Sequence, residues 1–573
     1  MNKKKDNKKI LDSHPNFSFI VKQKGICEKR IIPFVLFVIL AVFIVYPIIM
    51  LLSSSIMING KFSLSAYKEI FTDRSTYIAL WNTIKMELGI LIIAWVVGGS
   101  LAILRHKTNF KHKKWIDKFV FLSLIIPSYI LAISWIEIFS RGGYIYRILK
   151  MINSDYVFDF NAYSLIACSI VLGLHLYPHI YYGVGNSLKM IDNNLISSAK
   201  ICATEKKTIV GKIIIPLVLP SFISTALLIA ARSMANFGVT AQLALPSGKE
   251  VLTTRIYSAM SDLNLSEVAV LSIFMILLAM ILFLISEKYI NKKNYAVDNS
   301  SNSSDEMLIS LGRWEKPITF FMFLYFTITT VLPFLVIFLS SFFKRWGLKL
   351  CLKNLTLNNY RLLFADERLI LTPLFNSIIF GLVAATISVI LASLIVYMYT
   401  FRKSKLSTIN MTIAQLSIIV PNIILAVAAL FAWINEPIKL YGTAAIIIVT
   451  YSVLFIPICI KQISGGVKNL DSSFDDAGKV MGISLIKRYI FLFIPQIKDS
   501  ILAGFVICFL ISLKEIPISL LLYTVSTKTL GVLMFTIQTN SYGLEMTSAV
   551  SVVVILLSVL GNFGLNKIRK IKK

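Results

Sequence analysis

Twelve apolar runs, each about as long as a membrane-crossing helix, follow one another along the chain with short polar stretches between them. The first lies at 31–52, and five more follow at about 80–104, 117–139, 161–185, 213–234 and 266–287. Residues 294–312 (NYAVDNSSNSSDEMLISLG) then interrupt the pattern with Asn, Ser and acidic side chains and read as a linker. Six further runs occupy about 317–343, 375–400, 410–434, 441–462, 490–523 and 545–566. The run at 490–523 is long for one crossing and carries Pro517, so a broken or re-entrant helix is expected there. The pattern predicts an all-α polytopic membrane protein of about twelve transmembrane helices in two six-helix halves, residues 31–293 and 313–573.

Composition supports this reading: the 573 residues are 56% hydrophobic and only 15% charged, with a mean hydropathy of +0.76. A formal net charge of +29 would suit a nucleic-acid binder if the basic residues formed a surface patch. Instead they flank the apolar runs: Lys3 to Lys9 and Lys22 to Arg30, Arg105 to Lys114, Lys288 to Lys293, and Lys567 to Lys573. That is the pattern of cytoplasmic loops, so both termini, including the basic tail 1–30, are expected on the cytoplasmic face of the membrane, with no nucleic-acid partner. The first run is longer than a signal-peptide core and has no small-residue cleavage site, which predicts a retained helix. Six scattered cysteines, without a CxxC, imply neither disulfides nor zinc.

The two halves repeat one another. Asn82 and Pro127 recur as Asn376 and Pro421 (376 − 82 = 421 − 127 = 294), and Tyr67 and Phe71 recur as Tyr360 and Phe364 (360 − 67 = 364 − 71 = 293). Further on the offset falls to 279 because the first half has extra residues near 141–161. Parallel repeats imply a pseudo-twofold axis along the membrane normal with a pathway between the halves.

The charged stretch 471–495 (DSSFDDAGKVMGISLIKRYIFLFIP) stands between two apolar runs and offers Asp471, Ser472 and Ser473 as helix caps, with Asp475 and Asp476 in the first turn. Gly482 ends or bends that helix. Residues 192–216 (DNNLISSAKICATEKKTIVGKIIIP) repeat the stretch (471 − 192 = 482 − 203 = 495 − 216 = 279).

No phosphate-binding G-x-x-x-x-G-K-[ST] loop, H-E-x-x-H or G-x-S-x-G occurs, so no ATPase or hydrolase site is expected. His175 and His179 lie one helical turn apart, near a span end, and read as an interfacial pair in preference to metal ligands. Trp81, Trp135, Trp314 and Trp433 read as interfacial anchors. Ionisable residues at apolar depth are Glu87, Glu137, Arg232, Lys514 and Glu515. Lys514 and Glu515 precede Pro517, and Asn236-Phe237-Gly238 stand at the matching place (515 − 236 = 279). Two readings remain for these segments: a lining or gate of the pathway, or a turn at the membrane face held by a charge pair between neighbours.

The segment 471–495 resembles the EAA loop of ABC-importer permeases, with Asp476-Ala477-Gly478, Gly482 and Ile494-Pro495 at the matching positions. With Leu513 to Leu522 (LKEIPISLLL) and Leu252 to Tyr257 (LTTRIY), the chain resembles the fused, twelve-span permeases of the ferric-iron type across nearly all of 31–567. The resemblance implies the type I importer permease fold, with transmembrane cores at about 79–287 and 373–567. It implies that Asp475, Asp476, Ala477, Gly478 and Gly482, and in the first half Ser197, Ser198, Ala199 and Ala203, dock an ATPase, with two copies expected. It also implies an extracytoplasmic binding protein, a bilayer and no cofactor. The first loop departs from the family, with Ser197-Ser198-Ala199 for Glu-Ala-Ala and Ala203 for the glycine, which implies a weaker contact there. Related permeases carry thiamine, phosphonate or spermidine in place of iron, and a secondary transporter driven by an ion gradient is the alternative of another class.

Overall fold

The computed structural model describes residues 30–58, 60–152, 160–191, 198–199, 201–202, 206–291, 309–468, 470–471, 473–539 and 543–570. Its first half comprises α1 (Arg30–Ile56), α2 (Arg74–His106), α3 (Lys113–Ile125), α4 (Ser128–Phe139), α5 (Leu165–Met190), α6 (Val210–Met234), α7 (Phe237–Leu243), α8 (Leu252–Ser261) and α9 (Leu265–Asn291). The second half repeats the order with α10 (Gly312–Ser340), α11 (Leu369–Arg402), α12 (Lys405–Leu416), α13 (Asn422–Trp433), α14 (Ala444–Val467), α15 (Ser473–Val480), α16 (Leu485–Ser512), α17 (Pro517–Leu522), α18 (Leu530–Thr539) and α19 (Leu544–Lys570). The only strands among the described residues form a short hairpin, Met57–Ile58 with Lys61–Phe62.

Ten of these helices are long and apolar enough to cross a membrane. The twelve expected runs all form helices, but two of them are not straight crossings. The run at 117–139 bends by 93° between α3 and α4, and the run at 410–434 is divided into α12 and α13, each too short to span alone. The divisions fall at the repeated prolines. Pro127 and Pro421 are the residues before α4 and α13, with nearly identical backbone angles (φ −61°, ψ 141° and φ −57°, ψ 146°). A proline lacks the donor a continuing helix needs and forces the residue before it out of helical geometry, as at Ile126 with ψ 124°. The expected break in 490–523 is present between Ser512 and Pro517.

Close packing follows from small residues. A β-carbon on Gly98 of α2 would stand 2.5 Å from the Tyr177 carbonyl of α5, and one on Gly173 of α5 would stand 2.8 Å from Ile93, so the two helix backbones touch. In the second half Ser388 of α11 donates to the Ser452 carbonyl of α14 at 3.1 Å.

The first helix of each half lies against the other half. Asn410 of α12 donates to the Pro33 carbonyl of α1 at 2.8 Å, while Phe326 of α10 stacks on Phe119 of α3 with centroids 4.6 Å apart. Tyr144 and Ser340 share a hydrogen bond across the same seam. Buried Glu137 accepts from Ser548 of α19, and buried Glu87 accepts from Ser233 of α6, so these two carboxylates tie helices together. Trp81 and Trp314 are exposed, as anchors would be. Trp433 departs from that expectation: it is buried against Phe43, because α1 of the opposite half covers α13. Trp135 also turns inward, its ring tilted against Phe139 with centroids 4.2 Å apart. His175 and His179 sit near the middle of α5, not at its end.

Candidate functional site

Two places bring together the residues singled out in the sequence: the polar end of α15 and α16, and a cavity between the halves.

At the polar end, Asp471 accepts the Ser473 N–H at 2.9 Å and starts α15. The helix stops in the arrangement that places a left-handed residue just past the last turn: Gly482 at φ +72°, its N–H on the Lys479 carbonyl at 3.1 Å and the Ile483 N–H on the Gly478 carbonyl at 3.0 Å. Leucine at Gly482 is expected to cost about 1–2 kcal/mol of local stability, seen as earlier thermal unfolding in detergent, because an L side chain resists that backbone angle.

The two neighbouring acids of α15 have opposite surroundings. Asp475 is fully buried, accepts from the Tyr397 hydroxyl at 2.7 Å and pairs with Lys479 at 3.1 Å, Arg488 at 3.2 Å and Arg402 at 3.8 Å. Burial opposes its ionisation, but the Tyr397 and Lys479 hydrogen bonds and the two guanidinium charges outweigh it and hold the carboxyl below its ordinary range. A depressed carboxyl contributes stability above its ordinary pKa, so this cluster stays assembled at neutral pH and loosens only under strong acid. Arg488 also donates to the Ile483 carbonyl at 2.7 Å, and Gly478 leaves room for it, since a β-carbon there would stand 2.7 Å from the Arg488 chain. Asp476, by contrast, is exposed and, among the described residues, is bonded only to Lys479. The tip carries two bare apolar side chains, Val480 (89% exposed) and Met481 (77%).

In the first half Ser198 and Ala199 are helical, and Ala199 packs on that half's core, while Ser197 and Ala203 lie outside the described residues. Ile201, at the position of Val480 (480 − 201 = 279), is 85% exposed. Buried Ile209 takes the place of Arg488, and in the sequence Ile196 takes the place of Asp475 (488 − 209 = 475 − 196 = 279). The apolar tips, Val480 and Ile201, were not singled out from the sequence. Their signal is an apolar residue directly after a lysine, two places before the Gly482 and Ala203 positions.

The cavity, of about 440 Å³, lies where α4, α6, α7 and α9 of one half face the turn 417–421, α13, α14, α16 and α17 of the other. Asn236 and Glu515 do the same work on its two sides. The Asn236 side chain accepts the Val239 N–H at 3.1 Å and donates to Ser128 at 3.0 Å. Glu515 accepts the Ile518 and Ser519 N–H groups at 2.9 and 3.2 Å. Each thereby satisfies the backbone donors left free where α6 and α16 break. The charge pair between neighbours Lys514 and Glu515 does not form, because the carboxylate is turned onto the start of α17. Phe237 is buried beside the cavity, 5.0 Å from Tyr257 and 5.9 Å from Phe535 of the other half, centroid to centroid. Gly238 lets α7 approach Tyr129, where a β-carbon would meet the Tyr129 Cβ at 3.1 Å. Pro517 opens α17, where its missing N–H is not needed. No group of three or more metal-ligating side chains occurs among the described residues.

Comparison with known proteins places this architecture. Residues 94–294 and 385–570 each match the model of the family described as binding-protein-dependent transport system inner membrane component. The chain is 23% identical over 559 residues to the ferric transport system permease protein FbpB of Actinobacillus pleuropneumoniae, covering 93% of this chain and 78% of that one. It is 23% identical over 513 residues to a putative ferric transport system permease protein FbpB of Haemophilus influenzae, covering 87% and 79%. It is also 25% identical over 264 residues to the spermidine/putrescine transport system permease protein PotC of the same organism, covering 44% of this chain and 96% of that one.

Proposed function

Since the chain belongs to the family of binding-protein-dependent transport system inner membrane components, we propose that it is the permease subunit of an ATP-driven importer, with ferric iron as its leading cargo. ATP hydrolysis belongs to a separate subunit, two copies of which dock on the ends near Ile201 and Val480 at the cytoplasmic face, where both termini lie. An extracytoplasmic binding protein delivers cargo at the opposite face of a bacterial plasma membrane. ATPase closure rocks the halves about the cavity, and Phe237, Tyr257 and Phe535 form the gate between them.

The observation that carries this reading is the matched pair of bare apolar side chains, one per half, at the same register of the repeated segment. A soluble protein face would bury them, and a twofold ATPase dimer would meet both. Gly482, Asp476 and Ala477 of the second half, and Ser197, Ser198 and Ala203 of the first, lie in the same two segments and belong to the same contact. The iron assignment draws on the two full-length relatives named for ferric transport.

Val480→Asp and Ile201→Asp are each expected to cut the ATPase recovered in a mild-detergent pull-down about tenfold or more, since burying an unpaired carboxylate costs several kcal/mol. The pull-down of the unaltered chain should recover both an ATPase and a binding protein. A chain recovered alone, with uptake that survives ATP depletion but not an ionophore, would replace the importer with a gradient-driven transporter.

A further inference from the structure

We propose that the cavity between the halves receives its cargo as an anion or as a metal held in an anionic chelate, gripped by Arg232 and Lys514. This rests on the permease reading and names the class of what passes through.

Arg232 of α6 and Lys514, beyond the end of α16, both line the cavity, one from each half. They are not symmetry mates: Arg232 corresponds to Ile511 (511 − 232 = 279), and Lys514 stands three residues further on, about one helical turn. Among the described residues neither forms an ion pair. The one carboxylate on the cavity wall, Glu515, spends both oxygens on backbone donors of α17. Arg232 donates to Nε2 of His179 at 2.8 Å, while Nδ1 of the same ring faces the Leu176 carbonyl at 3.2 Å. A ring that donates through Nδ1 and accepts at Nε2 is neutral, so His179 aims the guanidinium without cancelling its charge. The Lys514 ammonium makes no hydrogen bond among the described residues, and the residue lines the cavity.

Unpaired cations at apolar depth are costly and face a counter-ion or a polar path. The helix ends add to them. The twelve-residue helices α4 and α13 both begin at the cavity, Ser128 and Asn422 being on its wall, so the positive ends of two helix dipoles point into it from the two halves. A guanidinium, an ammonium and two helix starts form a receptor for oxygen-rich anions. The same wall repels a polyamine and an unchelated trivalent metal.

The test is thermal unfolding of the purified full-length chain with its co-purified ATPase, in a buffer free of phosphate and citrate. Sulfate, inorganic phosphate, ferric citrate and spermidine are titrated separately against sodium chloride at equal ionic strength. The expected result is a rise in midpoint with ferric citrate or an oxyanion, none with spermidine, and loss of the rise in Arg232→Gln and Lys514→Gln, with return in Lys514→Arg. Stabilisation by spermidine would overturn the proposal. So would an anion effect undiminished in both glutamine variants, or no probe exceeding sodium chloride. Recovery of the ATPase in the same preparation reports separately on the permease reading, so failure of one is distinguished from failure of the other.

Discussion

Replacing Asp475 with isoleucine is expected to destabilise the protein by about 3–5 kcal/mol, the usual cost of removing one partner from a buried ion cluster. The loss strands Arg488, which is buried and 3.2 Å from the carboxylate, while Arg402 retains the Tyr397 hydroxyl at 3.4 Å. The first half suggests its own remedy, because isoleucines stand at both equivalent positions. Asp475→Ile with Arg488→Ile should therefore recover at least half of the loss. Thermal unfolding in detergent of the two single variants and the double variant measures the coupling. A double variant no better than Asp475→Ile would identify Arg402 as the stranded charge. Transport should follow stability, since Asp475 ties α15 to Tyr397 and Arg402 of α11 and Arg488 of α16, beside the Phe474–Phe401 contact.

The second large effect is expected at Glu515. Alanine there leaves the Ile518 and Ser519 N–H groups without acceptors in a dry setting, at about 1–3 kcal/mol each. Asparagine, the residue that caps α7 at the matching place, should restore most of that loss while removing the charge. Alanine is thus expected to lower both the unfolding midpoint and the transport rate, whereas asparagine should hold the midpoint near that of wild type. Equal midpoints for wild type and alanine would show that the cap contributes nothing.

How far the chain could be read depended on whether a feature was local. The apolar runs and the repeated prolines are local, and they placed the helices. Pro127 and Pro421 were visible as a matched pair, but what they do was not, because bending at a proline depends on what the helix packs against on either side. The two acids of α15 looked alike in sequence. Asp475 turns inward to partners that include Tyr397 and Arg402, more than seventy residues earlier, while Asp476 stays outward. Trp433 departs from the anchor expectation for a similar reason: its partner Phe43 belongs to the other half. Lys514 and Glu515 were marked as unusual, yet their adjacency suggested a pair, and the backbone donors of α17 proved the stronger claim on the carboxylate.

Joining both halves in one chain also removes the problem of partner choice. Two separate subunits built on one pattern must avoid pairing with their own kind, and each must keep a self-sufficient version of every shared feature. Here the covalent link sets the stoichiometry at one of each and holds the local concentration of the second half high. Neither half has to work as a homodimer, which leaves the two free to drift apart. The charged cluster at Asp475 opposite isoleucines, and Arg232 opposite an offset Lys514, are two differences that such freedom permits.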